Sequence, residues 1–274
     1  MQPSPIGIFD SGYGGLTVLK DIRARLPQYD YIYLGDNARA PYGSRSFDTV
    51  HRYTWECVQW FFKQGCELVV LACNTASAKA LRTIQQNDLP REAPEKRVLG
   101  VIRPTTEMIG QVTQTNEVGI LATSGTVLSA SYKIEIAKFF PAVNVVQEAC
   151  PMWVPLIENN EHNSAGADYF IKKHLEHLLQ NGPSIDTVLL ACTHYPLMKE
   201  KISQLLPAGM QILSQGPIVA DSLASYLERH PRMEASCSKG GELRFYTTDS
   251  TEDFDNHGSL FFGAAVRSTR VELP

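Results

Sequence analysis

No apolar stretch in this 274-residue chain approaches the roughly 18 residues needed to span a bilayer, so no membrane segment is expected. Runs of Lys and Arg are also missing, and the formal net charge is −4. Neither nucleic acid nor an anionic membrane surface is therefore an expected partner. The six cysteines form no Cys-x-x-Cys pair, and no Cys/His spacing suits zinc, so no metal site is expected. A strand-like run is reached by Ile6 without a basic and then apolar leader, which points to the cytoplasm. Thiols stay reduced there, and a disulfide framework is not expected.

What is present is an ordinary globular composition, 43% hydrophobic and 20% charged, with ample sequence for one large domain or two smaller ones. Short apolar runs read as strands at Ile6–Phe9, Tyr31–Leu34, Leu68–Leu71, Val98–Ile102, Val118–Leu121, Val143–Gln147, Val188–Leu190 and Gln211–Leu213. Between most of them lie helix-period segments: Gly15–Arg25, Phe47–Gln64, Ala76–Gln86, Ser129–Phe139, Ala165–Gln180 and Pro196–Leu205. Strand–helix alternation predicts an α/β fold of mostly parallel sheets covered by helices.

Two stretches nearly repeat each other: Leu68–Thr75 (LVVLACNT) and Thr187–His194 (TVLLACTH). In each, a buried-strand pattern breaks into Ala, Cys and small polar groups, placing Cys73 and Cys192 at strand carboxyl ends. Ligands bind at that edge of an open α/β sheet. The segment around Pro5–Gly14 likewise resembles Glu117–Gly125, at nearly the same offset. The repeat predicts two similar α/β lobes meeting near residue 100, the first over residues 1–100 and the second over 101–210, and leaves open whether the segment 211–274 returns to the first. A helix around Val219–Arg229 and a strand at Leu243–Thr247 belong to that segment.

Two thiols delivered by equivalent turns can face one ligand from opposite sides. Each precedes a helix start, whose partial positive charge favours thiolate and lowers the pKa from roughly 8.5. His194, two residues past Cys192, is placed to exchange a proton with it or merely to cap the next helix. The turn Asp10-Ser-Gly-Tyr-Gly-Gly15 follows a strand and opens a helix. As a dinucleotide fingerprint it fails at its third glycine, where Thr17 stands, and Asp10 would oppose a phosphate. An N-cap role and a functional role both remain open for it. Asn37–Gly43 is a third polar loop after a strand, turn-like by composition. The other cysteines suggest packing: Cys57 falls on the helical stripe Phe47, Val50, Thr54, Cys57, Val58, Phe61, and Cys66, Cys150 and Cys237 have no matching partner segment. His174 and His177, three apart on a Leu-rich helix, read as solvated flank residues.

Five segments together resemble the glutamate racemases: Gly7–Leu16 (GIFDSGYGGL), Tyr33–Gly43 (YLGDNARAPYG), Leu71–Ala76 (LACNTA), Gly119–Thr126 (GILATSGT) and Leu190–Leu197 (LACTHYPL). They follow the family's order from residue 7 to 197, and the resemblance implies two pseudo-symmetric α/β lobes with the site in the cleft between them, the first (1–100) completed by residues 211–274. The resemblance implies a cofactor-independent isomerase that supplies D-glutamate for peptidoglycan and forms a homodimer. It implies that Cys73 and Cys192 are the two acid/base residues, with Asp10, His194 and Glu158 assisting proton transfer. Asp10, Ser11, Tyr42, Gly43, Asn74, Thr75, Thr193 and His194 would hold glutamate. The surroundings of Glu158 match only loosely, and the C-terminal segment carries no diagnostic motif.

Such chemistry makes physical demands. No lysine is marked out as a pyridoxal phosphate anchor, so a bare carbanion must be met by positioned acids and donors. Two thiolates in one small site repel, so single ionisation is favoured and the pair titrates as a unit. Sulfurs each about 3–3.5 Å from Cα in near-attack geometry would lie roughly 6–7 Å apart. Rival readings are an aspartate or hydantoin racemase, a single-cysteine decarboxylase relative, and a two-lobed binding protein without turnover. Paired cysteines oppose the decarboxylase, and the missing export leader opposes the binding protein.

Overall fold

In a computed structural model describing residues 3–273, ten strands form two sheets. Strands β1 (Ile6–Asp10), β2 (Tyr31–Gly35), β3 (Leu68–Leu71), β4 (Arg97–Gly100), β9 (Leu243–Thr247) and β10 (Ser268–Arg270) make the first, in the order β10-β9-β2-β1-β3-β4. Strands β5 (Glu117–Ala122), β6 (Asn144–Ala149), β7 (Thr187–Ala191) and β8 (Gln211–Ser214) make the second, in the order β6-β5-β7-β8. Every strand pairing is parallel. The central strands β1, β2, β3 and β7 are buried along their whole length. That is why they read as continuous apolar runs rather than alternating ones: helices cover both faces of a parallel sheet.

The order within each sheet fixes where a ligand can sit. β1 lies between β2 and β3, and β5 lies between β6 and β7. Successive connections therefore leave β1 in opposite directions, and the same holds at β5. Each reversal opens a crevice at the strand carboxyl ends. The residues following β1, β3, β5 and β7 are Ser11, Ala72-Cys73, Thr123 and Cys192. Both cysteines thus occupy the corresponding place in the two sheets, as the internal repeat implied.

Several boundaries differ from expectation. β4 stops at Gly100, and the apolar run continues as the helix Ile102–Val112. Pro104 is tolerated there because first-turn N–H groups have no helical acceptor. The expected helix Ala76–Gln86 starts earlier, at Asn74, and is broken at Ala80; wide turns over Ile84–Asp88 precede Pro90, which has no N–H to continue the ladder. Ser129–Phe139 is interrupted by Ala130, whose φ of 53° is left-handed. β8 pairs with β7, so the chain stays in the second sheet through Ser214, past the expected boundary at 210. The next helix, Gln215–Arg229, starts at once and packs on Leu16–Arg25 of the first lobe. β9 then joins β2, and the unanticipated β10 extends that edge.

Of the two histidines, His177 is solvated as expected, its side chain 62% exposed, whereas His174 is buried. Both Nδ1 atoms lie 2.6 Å from the carboxylate of Glu148 on β6, and His174 is only 8% exposed. Their i,i+3 spacing lets both reach one carboxylate, His174 from the packed face of Ala165–Asn181 and His177 from its solvent edge. The remaining cysteines are buried and unbridged. Among the described residues no helix is long and apolar enough to cross a membrane, and no group of three His, Cys, Asp or Glu side chains is arranged to hold a metal.

Candidate active site

The crevices of the two sheets face each other across a cleft of about 200 Å³. Cys73 enters from the first lobe and Cys192 from the second, and Ser11, Tyr42, Gly43, Asn74, Thr75, Glu158, Thr193 and His194 also line it. Asp10 sits behind that lining, 1% exposed, accepting from Gly12 N at 3.0 Å and from Thr193 Oγ1 at 3.4 Å.

Cys73 is the N-cap of the helix Asn74–Lys79; its Sγ accepts from Ala76 N at 3.5 Å and lies 3.5 Å from Ser11 Oγ. The expected lowering of its pKa does not occur. Burial, followed by the Asp10 charge, pushes the thiol up to about 12; Ser11 and the Ala76 amide only soften the rise, and nearby Cys192 adds to it. Desolvation disfavours the thiolate more than one short helix turn favours it.

Cys192 is supported differently. It is followed by a tight turn, Tyr195–Met198, before the helix Lys199–Leu205 begins. His194 Nδ1 stands 4.0 Å from Cys192 Sγ, and Nε2 lies 2.9 Å from Glu158 Oε1. Burial alone would depress this imidazole, but its bonds to Cys192 and Glu158 outweigh that and push it up to about 10. The edge of Phe261, from the C-terminal helix Thr251–Phe262, packs on the ring with centroids 5.0 Å apart. Burial raises the Asp10 carboxyl, against the lowering pull of His194 and of the Gly15 and Gly12 amides. Gly14 is required by close approach: a Cβ there would lie 2.7 Å from His194 Cε1.

Two residues line the cleft with their side chains already engaged. The Tyr42 hydroxyl donates to Asp36, a fully buried carboxylate that also takes Arg39 Nε at 2.7 Å and Thr248 Oγ1 at 2.9 Å. Tyr42 therefore shapes the loop rather than offering its hydroxyl to a ligand. The Asn74 amide donates to Gln215 Oε1 and accepts from Tyr132, both at 2.6 Å. Thr75 is placed across the cleft, its Oγ1 3.0 Å from Thr123 Oγ1.

Among the lining residues that the sequence reading did not single out are Thr123, Ser124, Cys150 and Val154. Thr123 had a signal, because Glu117–Gly125 repeats the strand-to-turn pattern of the first lobe. Thr123 follows β5 as Ser11 follows β1, and it caps Ser124–Leu128. Cys150 was expected to be packing alone; it is 1% exposed and forms part of the cleft wall.

Residues 16–223 match the model of the family described as Asp/Glu/Hydantoin racemase. A glutamate racemase of Roseobacter denitrificans is 42% identical over 266 residues, covering 93% of this chain and 96% of that protein. The crystal structure of glutamate racemase isoform RacE1 from Bacillus anthracis superposes with a TM-score of 0.90 at 32% identity, covering 100% of this chain and 99% of that one. That of Francisella tularensis glutamate racemase, in complex with D-glutamate, gives 0.87 at 30% identity, covering 99% and 98%.

Proposed function

The chain belongs to the Asp/Glu/Hydantoin racemase family and is an amino-acid racemase, and from that premise we propose that it interconverts L- and D-glutamate by two-base proton transfer between Cys73 and Cys192. One observation carries the reading: two buried thiols, from corresponding strand ends of two sheets, line one cleft, each with its own polar attendants. The names of the relatives supply glutamate as the substrate.

In the proposed cycle a thiolate takes the Cα proton from one face, and the electron pair delocalises into the α-carboxylate. The opposite thiol then gives its proton to the other face, so one proton is consumed and one released. Cys192 meets L-glutamate and Cys73 meets D-glutamate. A Cys73 thiol raised to about 12 is protonated in the free protein and fits the acid role when L-glutamate is bound; for D-glutamate it must first pass its proton on and act as the thiolate. His194, between Cys192 and Glu158, exchanges protons on the other side. Asp10, buried beneath Thr193, assists from within the wall. Ser11, Thr75, Thr193 and the backbone N–H groups of the Tyr42-Gly43 loop and the strand ends bind the carboxylates and ammonium. Nothing in this cycle calls for a cofactor.

We further propose that the D-glutamate serves peptidoglycan synthesis, that the protein works in the cytoplasm, where thiols stay reduced, and that it is a homodimer, which light scattering tests. The substrate is tested by following optical activity from each enantiomer of glutamate and aspartate. Both glutamate enantiomers should converge to zero rotation, with aspartate inert. Faster loss with aspartate would overturn the assignment.

A further inference from the structure

Where the chain crosses between lobes, a single buried side chain touches both connections. Val101 follows β4 on the outward crossing, and Gln215 follows β8 on the return. Gln215 is 3% exposed, and its Nε2 lies 2.8 Å from the Tyr132 hydroxyl, 3.1 Å from Thr105 Oγ1 and 3.3 Å from the Val101 carbonyl. Its Oε1 accepts from Asn74 Nδ2 at 2.6 Å, and Tyr132 closes a three-membered ring by donating to Asn74 Oδ1 at 2.6 Å. Burial holds the Tyr132 phenol protonated, so it remains a donor.

This ring determines how Asn74 presents itself. Tyr132 occupies the amide oxygen and Gln215 takes one N–H, so the planar amide can neither flip nor rotate without losing both bonds. Among the described residues its second N–H has no acceptor, in a residue that lines the cleft and directly follows Cys73. We propose that Gln215 is a positioning residue: acting through Asn74, it aims that N–H at the bound amino acid. The assignment rests on the glutamate reading above. It differs from a strut between lobes, which would support the fold without reference to Asn74. A buried network of this kind fixes one arrangement, because each lost bond leaves a dry polar atom unpaired.

The test compares kcat and KM for both glutamate enantiomers in the wild-type protein, Gln215→Met, Tyr132→Phe, Asn74→Ala and the Asn74→Ala/Gln215→Met double variant. Melting temperatures are measured alongside. Gln215→Met and Tyr132→Phe should each raise KM by about tenfold, the loss expected for one misdirected hydrogen bond to a charged group. The double variant should be no worse than Asn74→Ala, because both changes remove the same contact. An unchanged KM in Gln215→Met, or effects that multiply in the double variant, would overturn the proposal. If Gln215→Met does not fold, Tyr132→Phe alone decides: a raised KM supports the ring's role and an unchanged one refutes it. A wild-type protein inactive on glutamate would overturn the substrate reading and the proposal with it.

Discussion

The Thr17 hydroxyl shares its proton between Gly14 O at 2.9 Å and Thr193 O at 3.0 Å. The glycine turn of the first lobe is thereby fastened to the segment bearing Cys192 in the second. A glycine at this position, as a dinucleotide fingerprint would require, has no hydroxyl to make the link. Catalysis by two groups on different lobes needs such ties, because it depends on their mutual placement within about 1 Å.

Gly14→Ala is expected to show this sensitivity. The added methyl cannot fit against Thr193 and His194 without moving them. Racemisation should fall about 100-fold, with the fold retained by circular dichroism. Near-normal turnover would mean that the two segments need not be so close.

His194 makes stability depend on pH with a definite sign. Its pKa is raised from 6.5 to about 10 in the folded protein. A raised pKa means the native state holds the proton more tightly than the unfolded chain does. The contribution is therefore complete below pH 6.5 and is lost as pH climbs through about 10. Melting temperatures of the wild-type protein should decline across that window, and His194→Gln should flatten the decline. Parallel curves for the two proteins would count against the raised value.

Glu158→Gln removes one of the two groups that hold the His194 proton. The imidazole should titrate nearer its ordinary value, visible as a downward shift by NMR, and racemisation should fall by about tenfold, below the usual worth of a full acid/base group. A variant with an unmoved imidazole titration would remove Glu158 from the relay.

Away from the cleft, Glu148→Ala should destabilise the second lobe by about 1–3 kcal/mol, because it leaves the buried His174 without its partner. Chemical denaturation measures this directly; no loss would show that water replaces the carboxylate.

How much of this was legible in the chain depends on how local each signal was. The strands were visible because burial on both faces makes them uninterrupted apolar runs, and the repeat around Cys73 and Cys192 survived as sequence because both perform the same turn. Gln215 was invisible: it falls at the start of an amphipathic helix, and its partners Asn74, Thr105 and Tyr132 lie far away in sequence. The burial of His174 against Glu148 was missed for the same reason, since helix periodicity shows a polar face but not what packs on it. The Cys73 thiol misled because its helix turn is local, whereas the burial and the Asp10 charge that overcome it come from tertiary structure.

The most direct measurement follows Cα deuterium and optical rotation in D₂O for Cys73→Ser and Cys192→Ser, starting from each glutamate enantiomer. Serine keeps the shape but is a far poorer base, so each variant should lose racemisation by about 1,000-fold, while the wild-type protein places solvent deuterium in the inverted product. If either variant racemises at close to the wild-type rate, that sulfur is not an obligatory base and the two-thiol account is wrong.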